Sequence, residues 1–190
     1  MKVWEFKNAS ANDVATLVFS SDKDLDDGLF DAEGEALSWD KAPRVEVFIE
    51  PRAKKPKPRV DISPLTPGAL VLNDKAKAKL GLFLSQFGQL LALECDAGPE
   101  HFYNVTNIVD CIDAASSKTR PSGAIAKEAF FEDKVPVLPA VFKDPRTAAT
   151  RVYVNQAAKE ILEKLIAEAG ITGAAFAEPG AVAARPRPGA

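Results

Sequence analysis

One pattern occurs twice in this chain and constrains its fold more than any other feature: a short apolar strand, an asparagine, an amphipathic helix and a glycine. In the first copy Leu70-Val71-Leu72 is a strand and Asn73 and Asp74 are capping residues. Lys75–Leu84 then has helical spacing, with Ala76, Leu80 and Phe83 on one face. Gly88 is expected to stop that helix, and Gln89–Cys95 to return as a strand. In the second copy Arg151–Val154 is the strand, Asn155 the cap and Gln156–Ala169 the helix. Its expected buried stripe is Ala158, Ile161, Leu162 and Leu165; Gly170 ends it and Ala174–Glu178 follows as a strand. Aligning Asn73 with Asn155 also places Gly88 on Gly170 without a gap, so an internal strand–helix–strand repeat is expected. The competing explanation is ordinary helix punctuation, since asparagine before and glycine after a helix are common. Neither copy carries a GxGxxG or GxxxxGK[ST] phosphate loop.

Residues 101–114 lie between the copies. Phe102, Tyr103 and Val105 read as a central strand, which runs into a corner studded with Asn104, Asn107, Asp110 and Asp113. Small polar side chains at that spacing bond nearby backbone amides. Further strands are expected at Val3–Phe6 and Arg44–Glu50, while Val14–Phe19 fits helix or strand. The segment Lys134–Lys143 is extended and apolar, and its prolines suit an edge strand or a strand after a bend. These elements add up to one α+β domain over residues 1–178, with a mixed sheet and two prominent helices. The Pro, Ala, Gly and Arg tail at 179–190 is expected to be flexible.

The chain has 190 residues, 46% apolar and 27% charged, enough for a core without staples. A net charge of −3 gives no electrostatic bias toward nucleic acid. The first residues lack a signal-peptide core, and no apolar run approaches the ~20 residues of a membrane helix, so a cytoplasmic protein is expected. Cys95 and Cys111 are the only cysteines. They read as reduced thiols, with a disulfide as the alternative.

Candidate chemistry is thin. Asp22, Asp24, Asp26 and Glu33 match positions of a calcium loop, but Asp27 stands where that loop needs glycine. Cys95, His101, Cys111 and Asp113 match no common zinc spacing. A thiol nucleophile, Cys95 or Cys111 working with His101 (the only histidine) and Asn104 or Asn107, lacks any elbow or helix-terminus signature. The basic run Arg52, Lys54, Lys55, Lys57 and Arg59 has no interleaved aromatic residues for stacking on bases. No metal, cofactor or catalytic residue is therefore expected.

Several segments together resemble a known family. They are Asp61-Ile62-Ser63-Pro64, Leu70–Asn73 with its helix, Phe102-Tyr103-Asn104-Val105-Thr106-Asn107-Ile108-Val109-Asp110-Cys111-Ile112-Asp113, Phe130–Pro136, and Ala169-Gly170-Ile171-Thr172-Gly173 leading to Phe176. This set resembles the immunity proteins of bacterial polymorphic toxin systems, in the group typified by a myxobacterial immunity protein. The family usually has a bulkier apolar residue before the position of Phe176, where this chain has Ala174 and Ala175. The resemblance spans residues 60–178 and implies an inhibitor that binds a toxin encoded by an adjacent gene. It implies no catalytic residue. From Asp22 to Asp40 the chain has eight acidic residues and one lysine. Opposite charge speeds capture of a partner, so Asp24, Asp26, Asp27 and Asp31, with Leu29, Phe30 and Trp39 as apolar anchors, are the expected toxin-facing residues. A solubilising loop is the plainer reading of that stretch. A thiol enzyme and an interaction module without a toxin are the other functional alternatives.

Overall fold

A computed structural model describes residues 2–9, 11–21, 23, 27–49 and 55–180. Among the described residues twelve strands are formed: β1 (Val3–Asn8), β2 (Leu17–Phe19), β3 (Val45–Val47), β4 (Ile62–Ser63), β5 (Leu70–Asn73), β6 (Gly88–Leu93), β7 (Glu100–Val105), β8 (Lys118–Thr119), β9 (Ile125–Lys127), β10 (Val141–Phe142), β11 (Tyr153–Asn155) and β12 (Ala174–Ala177). The helices α1 (Asp74–Leu84) and α2 (Gln156–Ala169) follow β5 and β11. The architecture is α+β, and neither helix is long and apolar enough to cross a membrane.

The repeat is visible in the strand order. One four-stranded sheet runs β4-β5-β7-β6 and the other β10-β11-β1-β12. In each, a helix carries the chain from the second strand to the fourth, which are therefore parallel, and a third strand slots between them antiparallel to both. In the first sheet the inserted strand is β7, which follows β6. In the second it is β1, from the start of the chain. Because of that insertion, all ladders between the named strands are antiparallel, where a mixed sheet was expected. Among the described residues parallel pairing occurs only in isolated bridges such as Ile108 with Lys143.

Ladder register, and not the gapless alignment, sets the correspondence between the two units. Asn73 faces Glu100 and Gly88 faces Val105; Asn155 faces Val3 and Ala174 faces Asn8. The middle strand advances by the same length in both, so Gly88 corresponds to Ala174 and not to Gly170. The helices differ to match, 11 residues in α1 against 14 in α2. Gly170 is a left-handed C-cap with φ 57°, whereas α1 ends at Ser85, before Gly88. Gly88 is instead a strand residue pressed on the Asn104 carbonyl, where a Cβ would collide with backbone.

The asparagines perform as expected. Asn73 Oδ1 accepts from the amide of Ala76, and Asn155 Oδ1 from that of Ala158, both at 2.9 Å. The helices bury Ala76, Leu80 and Leu84, and Ala158 and Leu162, into a core shared by both sheets through Leu72, Tyr103, Phe6 and Val154. Phe83 and Leu165 are only partly buried, and Ile161, expected inside, is 36% exposed. A second apolar cluster, with Leu17, Val45, Val71 and Phe102, backs the first sheet; a third, with Val3, Cys111, Ile112 and Phe142, backs the second. β7 is buried along its whole length, as a central strand should be. Of the tail, Pro179 and Gly180 are described, Gly180 lying against Lys127; the rest of the tail expectation falls outside the described residues.

Two sequence segments that lie 111 residues apart are bonded directly. The Asp61 carboxylate accepts from the Thr172 amide at 2.8 Å, from Asn73 Nδ2 at 3.0 Å and from Lys75 Nζ at 3.0 Å. Partial burial raises the pKa of Asp61, but these bonds outweigh it and bring the value down to about 2. The Asp61-Ile62-Ser63-Pro64 and Ala169–Gly173 segments are thus the fastener between the two units.

Candidate binding surface

The expected acidic interface divides by chemistry. Asp27 and Asp31 are exposed, as are Glu33, Glu35 and Asp40; Asp24 and Asp26 lie outside the described residues. The apolar anchors turn the other way. Phe30 is only 5% exposed and packs edge-on to Phe102 at 5.4 Å. Trp39 lies 5.9 Å from Phe102 and donates its indole N–H to the Leu29 carbonyl at 2.9 Å, while Leu29 packs against the same cluster. Phe30, Leu29 and Trp39 therefore cover the back of the first sheet, because Val71 and Phe102 would otherwise face water there. The result is a ledge with carboxylates outside and aromatic rings inside.

Polar side chains from both units pin the ledge. Gln89 exchanges two hydrogen bonds with the Leu37 backbone, at 2.8 and 3.0 Å, and Asn104 Nδ2 donates to the Glu35 carbonyl at 2.7 Å. Lys143, fully buried, donates to the carbonyls of Ala32 and Ala148. Burial pulls its pKa down to about 8, partly offset by Glu33. Its neighbour Asp144 is also fully buried and accepts from the amides of Cys111 and Ile112 at 2.9 and 2.7 Å. The corner beyond β7 is thus held by Asp144, aided by Asn107 Nδ2 on the Val141 carbonyl at 2.9 Å and an Asp110–Arg146 ion pair. Within it, Asp113 Oδ1 accepts from the amides of Ala115 and Ser116, as its residue type suggested. The only sequence hint of the buried pair was its place directly after the apolar Val141-Phe142.

The thiol and zinc constellations are not assembled. His101 faces Leu72 across the ladder, so it lies on the helix side of the first sheet, and its Nε2 is 2.8 Å from Asp74 Oδ1. Cys95 packs into the cluster on the opposite side. Cys111 is buried behind the second sheet, where desolvation, with Asp144 and Asp110 adding to it, pushes its thiol up to about 12. Both cysteines are free. Among the described residues no three His, Cys, Asp or Glu side chains are grouped to hold a metal. Of the basic run, Arg52 and Lys54 lie outside the described residues, Lys57 donates to the Ala11 carbonyl, and Arg59 pairs with buried Glu100.

A different surface stands out. A groove of about 520 Å³ opens between the end of α1 (Phe83, Phe87), the corner (Asn107, Val109), the Pro136–Ala140 segment and Ile161 of α2. Leu138, which lines it, and its chain neighbour Val137 are 77% and 78% exposed. The segment carrying Val137 and Leu138 is held in place, for Asn155 Nδ2 donates to the carbonyls of Pro136 and Leu138, each at 2.7 Å. Large apolar side chains are thus displayed on a pinned backbone and contribute little to the core. Ile108, between the lining residues Asn107 and Val109, packs against Gly34 of the acidic ledge. The placing of Val137 and Leu138 between Pro136 and Pro139 was the one sequence signal of their exposure. No family model matches the chain, and no curated protein matches it.

Proposed function

We propose that this protein is an immunity-type inhibitor, which neutralises a bacterial toxin by occupying its surface and transforms no substrate. The observation that carries the reading is the pinned apolar display of Val137 and Leu138 beside the groove. A surface already ordered before binding loses less entropy when a partner docks, and contiguous exposed apolar groups mark interaction sites. The carboxylates of Asp31, Glu33 and Glu35 on the adjoining ledge suit a partner with basic residues around an apolar contact. The family resemblance of residues 60–178 supplies the toxin, encoded by the adjacent gene and met in the cytoplasm. A thiol enzyme has less support, since Cys95 and His101 sit on opposite faces of a sheet and Cys111 is held as a neutral thiol.

Co-expression with the protein encoded next door tests the proposal. The wild-type chain is expected to co-purify with it and to rescue growth. The double variant Val137→Asp/Leu138→Asp is expected to fold normally and bind about 30-fold more weakly or worse, the loss typical of a central interface residue. Unchanged binding by that variant removes the groove from the interface, and failure of the wild type both to bind and to rescue overturns the function.

A further inference from the structure

A second concavity, of about 420 Å³, lies at the far end of the first sheet, away from the groove. Its lining includes Arg59, Asp61, Asn73, Asp74, Lys75 and Glu100. Glu100 is 2% exposed; its Oε1 takes the Arg59 guanidinium, and its Oε2 is buried without a hydrogen-bond partner. An unpartnered buried carboxylate oxygen is costly, and it needs a donor.

Each of the two cations lining the cleft already has a carboxylate partner. Arg59 is held by Glu100, and Lys75 Nζ donates to Asp61 Oδ2 at 3.0 Å and to the Gly170 carbonyl at 2.7 Å. The N-terminal amide of α1 at Ala76 is taken by Asn73. Asp74, 66% exposed at the rim, adds another carboxylate, one oxygen of which takes His101. Three carboxylates thus face two paired cations, which leaves one negative charge in excess and Glu100 Oε2 without a donor. Burial raises the pKa of Glu100, Arg59 opposes that shift, and Asp74 adds to it. A cation entering the cleft relieves both effects.

We propose that this cleft binds a guanidinium or alkylammonium group, with Glu100 Oε2 and the Asp74 carboxylate as its acceptors. The site does not rest on the toxin-binding reading. Such a group can belong to a small molecule or to an arginine or lysine side chain of a protein, and the probes separate the two.

The full-length chain is titrated with agmatine, with N-acetylarginine methylamide and with inorganic phosphate, and the amide signals of Gly98, Glu100, His101 and Lys75 are followed by NMR. Agmatine is expected to shift them saturably with a Kd of about 1 mM or tighter. Glu100→Gln should weaken binding about tenfold or more. Asp74→Asn, an exposed position that leaves the fold intact, should weaken it by a smaller factor, and the ledge variant Asp31→Asn should leave it unchanged. Binding of both cations indicates a site open to a protein side chain, and binding of agmatine alone a small-molecule site. Absence of a saturable shift up to about 10 mM agmatine, an equal response to phosphate, or undiminished affinity in both Glu100→Gln and Asp74→Asn overturns the proposal.

Discussion

The two strand–helix–strand units use the same fastener for opposite ends. In each, the asparagine that caps the helix also reaches back with its Nδ2 to the segment leading into the edge strand: Asn73 to Asp61, Asn155 to the carbonyls of Pro136 and Leu138. In the first unit the segment so held is bonded onward to Thr172, and its side chains lock the units together. In the second, no described residue covers Val137 and Leu138, which face solvent. The residue after the edge strand differs too, Pro64 in one unit and the buried Lys143 in the other. A duplicated framework therefore serves cohesion in one half and display in the other. Which use a segment takes depends on what lies beside it.

That contrast can be broken by substitution. The largest effect is expected at Asn155, which is 1% exposed. Asn155→Ala removes a helix cap, about 1 kcal/mol, and strands two carbonyls at about 1 kcal/mol or more each, so urea unfolding should show a loss of about 3–4 kcal/mol. Asn73→Ala, with one such bond beyond the cap, should lose about 2 kcal/mol. Equal losses would dissolve the distinction between the two fasteners.

Next is the buried cation. Lys143 has a folded-state pKa of about 8 against 10.5 when unfolded, so between those values the unfolded chain binds more protons and stability rises with pH. The rise is on the order of 3 kcal/mol. Cys111 works the other way above pH 9, its thiol being pushed up to about 12 in the folded state. The measurement is therefore the difference between wild type and Lys143→Met across pH 7.5–11, which should grow steadily; parallel curves would place the ammonium in water.

Asp61 should contribute about 2 kcal/mol, its pKa falling from 3.8 to about 2 on folding. That stability is present in full above pH 3.8 and disappears as pH falls through about 2. Asp61→Asn should destabilise at neutral pH and flatten the acid limb of the wild-type profile. The smallest effect is expected at the displayed segment, where Val137→Asp/Leu138→Asp should stay within about 0.5 kcal/mol of wild type. A larger loss would mean that the segment belongs to the core.

What could be read from the sequence was whatever a few consecutive residues settle among themselves. A side-chain cap reaches three residues along the chain, so Asn73 and Asn155 declared their helices unaided, and the apolar run of β7 declared a buried strand. The corner at Asp113 was legible for the same reason. Three things required the folded chain. The second sheet is completed by β1, more than a hundred residues before its neighbours. Phe30 and Trp39 point inward because the back of another strand needed cover. Lys143 and Asp144 are buried because backbone groups far away in sequence need their charges. Local propensity fixes which segments become helix or strand, while the solvent exposure of a loop's two faces is decided by long-range packing, and the candidate surfaces of this protein were decided there.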